Sequence, residues 1–381
     1  MPETPSRWSE CIEGRLLPRP GGDGRHLIGV LEGEGIGPEV VHAALHALSA
    51  LESIGPWRFE IRSGGPIGLT AQRRHGVPLT PEVVEFCETI FARGGAVLAG
   101  PGGGRFVYDL RRRFDLFCKI SPLAAFPELA GACRFKSEHV RGVDCLMVRE
   151  NVAGVYQGRW SEEQLPGVGR LARHEFSYSE ADVRRIVEVA ARLAGARRGR
   201  LAVVLKDAGI PTISALWSDC AADAANRHGV ALEVINADHA AYHLVQHPRE
   251  LDVLVTSNLF GDVLIDLGGV LLGSRALACS GNFASGVPAV FQTNHGSAHD
   301  LAGTDRANPF GQVLALAMLL RESFGLARAA ELVERAVRAV WREGWRTDDI
   351  AEPGARLAGT REAGQRVAEA VVDLAREIEV A

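Results

Sequence analysis

The chain has 381 residues, 46% of them hydrophobic and 43 of them glycine, enough to bury a large core and more than one typical domain holds. With 42 cationic against 47 anionic residues the formal charge is −5, and no basic stripe with interleaved aromatics occurs, which argues against a nucleic-acid partner. No apolar run nears the roughly 20 residues that span a bilayer, which argues against a membrane partner. The polar stretch MPETPSRWSECIEGRLLPRPGGDGR lacks the apolar segment of a secretory signal, so residues 1–25 read as a loosely held extension. The seven cysteines are scattered, odd in number and lack C-x-x-C spacing, and read as reduced, mostly buried thiols of a cytoplasmic protein.

In chain order, HLIGVLEG reads as a first strand, and EGIGPEVVHAALHALSAL as a glycine-rich turn with an amphipathic helix. GAVLAG is a second strand candidate, followed by the glycine-punctuated loop PGGGR at 101–105 and the densest basic cluster, Arg111 to Arg113. DCLMVRE, RLAVVLK, ALEVINA and DVLVTSN are further strands. SEADVRRIVEVAARLAG, SALWSDCAADAANRHG and ARAAELVERAVRAVWREG are helices, and EEQLPGVGRLARHEF is a proline- and glycine-punctuated loop. This alternation predicts an α/β chain with a mostly parallel sheet.

Three features carry chemistry. In DVLVTSNLFGDVLID a helix beginning after Asn258 places Asp262 and Asp266 one turn apart on one face, where two hard oxygen ligands can share a divalent cation. An isolated D-x-x-x-D is more often a solvated helix edge, but apolar flanks on both sides predict a half-buried pair in need of a cation. Only three of the 42 cationic residues are lysines: Lys119, Lys136 and Lys206. Lysine, unlike arginine, can be pushed toward its neutral form, and Lys206 ends a strand and opens a turn, where α/β proteins place functional groups. Finally, HGSAHDLAG offers backbone donors, His295, and in Asp300 a carboxylate able to accept a ribose diol, although the same stretch also reads as an ordinary polar turn. GEGIGP has G-x-G-x-G spacing, which is not a dinucleotide fingerprint.

From about His26 onward the blocks GVLEGEGIGPEV, LRRRFDLFCKISPL, DCLMVRENVAGVYQG, LKDAGIP, SNLFGDVLIDLGGVLLGS and HGSAHDLAGTDRANP occur in the order found in one family. The chain resembles the isocitrate/isopropylmalate dehydrogenases, the metal-dependent β-decarboxylating dehydrogenases. The resemblance implies a two-domain α/β fold with a continuous mixed sheet. The cofactor-side domain would combine 1–116 with 273–381, the central domain would span 117–272, and a subunit-clasping arm would lie near 157–176. It implies metal ligation by Asp262 and Asp266 of one subunit and Asp238 of the other, with Lys206 and Asp238 relaying the hydroxyl proton and Tyr156 protonating the product carbon. Arg111 and Arg149 would clamp the malate carboxylates, and His295, Gly296, Ser297, Ala298, Asp300 and Asn308 would hold the cofactor. Asp300 followed by Leu301 resembles the NAD-using members, since a carboxylate would repel a 2′-phosphate. The implied cofactors are NAD and Mg²⁺ or Mn²⁺, and the implied partners are a small 2-hydroxy diacid and a second copy of the chain in a homodimer with shared active sites.

Departures from the family pattern bear on the substrate. The arginine usual in the segment Lys119–Ile120–Ser121–Pro122 is replaced by Ser121, and Lys119, on the same strand face, is the candidate stand-in. Ala208 replaces a usual asparagine, and Gln292 and His299 replace a usual acid and proline. Gly104 replaces an acidic residue beside Arg105, Phe106 and Tyr108, which are expected to crowd the pocket for the substituent on the substrate's third carbon. The expected reaction is NAD- and metal-dependent oxidative decarboxylation of a 3-substituted malate with an altered pocket. A tartrate- or D-malate-type dehydrogenase and a non-catalytic subunit of a hetero-oligomer are the alternatives.

Overall fold

The structure is a computed structural model that describes residues 7–18 and 20–380. Apart from a two-residue pair, Trp345–Arg346 with Arg356–Leu357, its strands are β1 (His26–Leu31), β2 (Phe59–Ser63), β3 (Ala96–Ala99), β4 (Cys118–Ala124), β5 (Asp144–Glu150), β6 (Arg159–Leu165), β7 (Gly169–Glu175), β8 (Arg200–Leu205), β9 (Ala231–Asn236), β10 (Val253–Thr256), β11 (Cys279–Phe283) and β12 (Ala289–Thr293). All but β6 and β7 form one ten-stranded sheet in the order β2-β1-β3-β12-β11-β4-β5-β10-β8-β9. The pairing is parallel at both ends and antiparallel at β12–β11, β11–β4 and β4–β5, so the sheet is mixed. Its first five strands in spatial order come from residues 26–99 and 279–293, and its last five from residues 118–256.

The apolar runs behave as strands covered on both faces. Every residue of β1, β3 and β10 is buried, because helices pack on each side and no face is left for alternation. The helix Glu180–Gly195 buries Val183, Ile186, Val187 and Ala190 on one side, and a reciprocal pair of hydrogen bonds between Ser179 and Asp182 caps its start. The helix Phe310–Glu322 is buried on nearly all sides beneath the centre of the sheet. All seven cysteines are free, and six are buried.

Two local readings differ from the sequence expectation. Residues 7–18 are tied down rather than loose. The amide of Ser9 donates to the buried carboxylate of Glu322 at 2.8 Å, Arg15 Nη1 donates to the carbonyls of Gly286, Val287 and Pro288 at 2.7, 2.7 and 2.9 Å, and Cys11 and Ile12 enter the core. A polar sequence hides this docking because the partners are carbonyls and one carboxylate more than 270 residues away. The stretch read as a punctuated loop is a hairpin, β6 paired with β7 from Arg159↔Glu175 to Leu165↔Gly169 around Pro166–Gly167–Val168, with Gly167 at φ +75°. Both of its faces are exposed, so it has no apolar alternation to announce it.

Among the described residues no helix is long and apolar enough to cross a membrane.

Candidate active site

The centre of the site lies where β4 and β5 meet the helix Asn258–Gly269. Lys119 on β4 is directly opposite Arg149 on β5, and opposite residues of an antiparallel pair share a face. Asp262 and Asp266 both project from the helix that follows β10, one turn apart and each half-buried. Arg149 Nη1 donates to Asp262 Oδ1 at 2.6 Å, and Tyr156 Oη donates to Asp262 Oδ2 at 3.0 Å. The guanidinium side chain is 3% exposed and the carboxylate side chain 41%, so the pair opens on the cleft through Asp262. Arg149 is further confined by Gly261, where an added Cβ would lie 2.8 Å from Arg149 Cδ.

This arrangement concentrates positive charge. Arg111, Lys119 and Arg149 are all buried. Burial, and then the Arg149 charge, brings the Arg111 pKa down to about 9. Burial together with Arg149 and Arg111 holds Lys119 well below the usual lysine value. Burial alone would raise Asp262, but the Arg149 and Lys119 charges and the Arg149 and Tyr156 hydrogen bonds outweigh it, and its carboxyl is held below the ordinary value. Burial and then the Asp262 charge push the Tyr156 phenol up, so Tyr156 carries its proton at neutral pH. The Tyr108 ring lies 4.8 Å from that of Tyr156.

Lys206, immediately after β8, donates to Asp238 Oδ1 at 2.8 Å, and this pair makes no hydrogen bond to Tyr156, Asp262 or Asp266. Its side chains are 40% and 71% exposed, and Lys206 holds the Asp238 carboxyl below its ordinary value. Asp266 Oδ1 accepts from Arg275 Nε at 2.9 Å, and its Oδ2 forms an ion pair with Arg275 Nη2 at 2.8 Å. Ser121 is buried and accepts from Asn294 Nδ2 at 3.4 Å, so its hydroxyl is turned toward the segment that precedes His295.

His295, Gly296, Ala298 and Asn308 line a cleft of about 610 Å³ with Ile36, Leu301 and Arg275, a size suited to a cofactor. Ser297 and Asp300 do not line it. The Ser297 hydroxyl donates to Glu34 Oε1 at 3.3 Å, and Asp300 is exposed. Asn308 is already committed, donating to Asp349 at 3.0 Å and accepting from the amide of Phe310 at 2.9 Å. The buried Nε2 of His295 has no hydrogen-bond partner, which leaves a donor or acceptor free for a ligand. Phe106 does not crowd the substituent pocket. It is fully buried beneath Gly102, whereas Arg105 and Tyr108 remain partly exposed.

Sequence reasoning missed two residues. Glu34, inside GEGIGP, is buried, and its carboxylate accepts from the amides of Gly103 at 2.6 Å and Thr70 at 2.8 Å as well as from Ser297. It ties the PGGGR loop to the turn that carries Ser297. A single acid among glycines was the available signal. Arg275 follows Asp266 by nine residues, a spacing with no periodic signature.

Glu150 shapes the turn leading to Tyr156 by accepting from the amides of Val152 at 2.8 Å and Ala153 at 3.0 Å. Burial raises its pKa from 4.5 to about 7, against the pull of those amides and of Arg185. Between those values the folded chain keeps a proton that the unfolded chain releases, so stability falls as pH rises through the window, by about 3 kcal/mol in full. Urea unfolding at pH 5 and pH 8 is expected to show Glu150→Gln gaining on the wild type by about that amount at the higher pH. A difference independent of pH would mean that Glu150 ionises normally in the fold.

The carboxylates and the cleft suit a cation and a nucleotide cofactor. Among the described residues no three His, Cys, Asp or Glu side chains cluster as a metal site, but Asp262 and Asp266 supply two hard oxygen donors that the chain itself covers with Arg149 and Arg275. Comparison with known proteins agrees in outline. The family described as isocitrate/isopropylmalate dehydrogenase matches residues 27–367. A 3-isopropylmalate dehydrogenase of Gloeobacter violaceus is 37% identical over 362 residues, covering 90% of this chain and 98% of its own. Another, from Nitratidesulfovibrio vulgaris, is 38% identical over 360 residues, with 90% of this chain and 98% of its own covered. The crystal structure of isocitrate dehydrogenase from Methylococcus capsulatus superposes with a TM-score of 0.80 at 29% identity, covering 91% of this chain and 99% of its own. A match spanning β1 to the C-terminal helix, carried by relatives covered over nearly their whole length and by the same architecture, places the chain in the isocitrate/isopropylmalate dehydrogenase family.

Proposed function

We propose that the chain oxidises and decarboxylates a 3-substituted malate with NAD and Mg²⁺ or Mn²⁺, as a homodimer in which each active site draws on both subunits. The observation that carries the proposal is the buried trio Arg111, Lys119 and Arg149 around Asp262 and Tyr156, which suits a dianionic acid whose oxygens also meet the Asp262 carboxylate. A bound divalent cation would supply Lewis-acid polarisation of the substrate oxygens, and NAD the acceptor for hydride.

The chain's own residues do the rest. Arg111 and Arg149 hold the two carboxylates so that the breaking carbon–carbon bond stays aligned. Tyr156, protonated at neutral pH, delivers a proton to the carbon from which carbon dioxide departs. Lys206 and Asp238 of the neighbouring subunit relay the hydroxyl proton. Two features support the dimer: the outward exposure of the Lys206–Asp238 pair, and the exposed apolar side chains Trp160, Val168, Val234, Tyr242 and Val263 on the hairpin, on β9 and on the two helices nearby. Residues 1–116 with 273–381 would form one closing domain and 117–272 the other, shielding the reaction from water.

The test is NADH formation with parallel carbon dioxide release across malates bearing methyl, isopropyl, benzyl, carboxymethyl, carboxyethyl and phosphonomethyl groups, with and without Mn²⁺. Metal-dependent NADH with equal carbon dioxide from one of them is the expected result. NADH without carbon dioxide would point instead to a non-decarboxylating relative, and silence with metal and NAD bound to a non-catalytic subunit.

Lys119 is read as the cation that stands in for the missing arginine at Ser121. Lys119→Met, which keeps the bulk of the side chain, is expected to raise the KM for the acid by about 10- to 100-fold, the range for losing one hydrogen bond to a charged group. The KM for NAD should not move. An unchanged KM for the acid would remove Lys119 from the clamp.

A further inference from the structure

We propose that Arg275 couples the metal site to the cofactor cleft: its guanidinium pairs with Asp266, and it turns to the cofactor diphosphate when a divalent cation takes that carboxylate. The proposal rests on the reading that the 610 Å³ cleft binds a nicotinamide dinucleotide.

Arg275 has two addresses. It makes a two-pronged contact with Asp266, Nε to Oδ1 at 2.9 Å and Nη2 to Oδ2 at 2.8 Å, so both carboxylate oxygens are engaged. It also lines the cleft beside His295, Gly296, Ala298 and Asn308. A guanidinium and a divalent cation cannot share the same two oxygens, because like charges repel at that distance. The backbone of Arg275 has no freedom to withdraw. An added Cβ at Gly269 would lie 3.0 Å from its Cα, and Ser274 Oγ accepts from the amide of Ala276 at 3.1 Å, closing the turn. The side chain is 57% exposed and can swing.

The cleft accounts for where it goes. Its acids are already paired, Asp348 with Arg306 at 2.8 Å and Asp349 with Asn308 at 3.0 Å, and the pairing with Asp348 also occupies Arg306. Arg275 is therefore the cation of the lining that metal binding would leave unpaired, and a diphosphate is the anion a dinucleotide brings. Release of Asp266 by one ligand makes Arg275 available to the other, and linkage requires the effect to be mutual. Because the Arg275–Asp266 pair is half-exposed, the coupling should sit near the low end of the usual range, about five-fold in each affinity.

The experiment is a Mn²⁺ titration followed by the signal of free Mn²⁺ in electron paramagnetic resonance, with and without saturating NAD, and calorimetric NAD titrations with and without Mn²⁺, on the wild-type dimer, Arg275→Ala and Arg275→Lys. In the wild type each ligand is expected to tighten the other about five-fold. Arg275→Ala should bind Mn²⁺ alone more tightly than the wild type, bind NAD more weakly, and show a coupling ratio near one. Arg275→Lys should keep part of the NAD affinity, since it keeps the charge without the fork. The tighter Mn²⁺ binding of Arg275→Ala also certifies that the variant is folded. Coupling retained in Arg275→Ala overturns the proposal and leaves the cofactor reading intact. A wild type that binds Mn²⁺ but no NAD overturns the cofactor reading and the proposal with it.

Discussion

Asp262→Asn is expected to lower kcat by about 10²- to 10³-fold, the scale seen when one preorganised charge at the reacting centre is removed. The substitution keeps the shape but removes the charge on which Arg149 and Tyr156 converge at 2.6 and 3.0 Å. Arg149, nearly without solvent on its own, then loses the carboxylate it pairs with, and Arg111 and Lys119 lose the negative charge that favours their protonated forms most. Mn²⁺ affinity should fall by more than about ten-fold, since even an outer partner of a metal ligand is worth that much. The measurements are steady-state turnover on the best malate and a direct Mn²⁺ titration of the same sample. Wild-type Mn²⁺ affinity would take Asp262 out of the cation site, and near-normal kcat would take it out of the chemistry.

Gly35→Ala should act from a distance, through backbone. Gly35 sits at φ +61°, and an added Cβ would lie 1.9 Å from the Ser297 carbonyl oxygen, the same oxygen that accepts from the amide of Ile36 at 2.9 Å. The left-handed conformation alone costs an L-residue about 1–2 kcal/mol. The larger consequence is displacement of the turn that carries His295, Gly296 and Ala298, for which a shift near 1 Å can cost about 10²-fold in a positioned interaction. NAD affinity is expected to drop by that order, and stability to urea by at least the strain term. Gly76→Ala is the control, with φ +80° and nothing within 4 Å of an added Cβ, and it should show the strain without the loss of NAD binding. Equal NAD affinity in the two variants would mean that the Gly35–Ser297 contact does not set the cofactor turn.

Much of the site was legible in the chain before any fold was known. The four-residue spacing of Asp262 and Asp266 depends only on helical periodicity, and the helix Asn258–Gly269 presents both half-buried. The strands HLIGVLEG, GAVLAG, DCLMVRE, RLAVVLK, ALEVINA and DVLVTSN all form, and all but ALEVINA, an exposed edge strand, are apolar runs of the kind that suits a covered sheet. Among the strands that the sequence did not announce, two owe their existence to partners. β11 and β12 are short and carry Ser, Gly, Asn and Gln, and only pairing with β4 and β3 makes them strands.

The sequence by itself determined the α/β class, the helix and strand periods, the two carboxylates on one face and the rarity that singles out Lys119, because each follows from local spacing and composition. The tertiary structure alone decided that Arg149 and Tyr156 converge on Asp262, that Glu34 joins the PGGGR loop to the turn of Ser297, that the Ser297 hydroxyl turns away from the cleft, and that Arg275 covers Asp266. Tyr156 and Asp262 are 106 residues apart, and Glu34 and Ser297 are 263 apart. Hydrogen bonds and ion pairs act over about 3 Å, so which groups meet across such separations is set by how the sheet and its covering helices pack, and no local pattern encodes it.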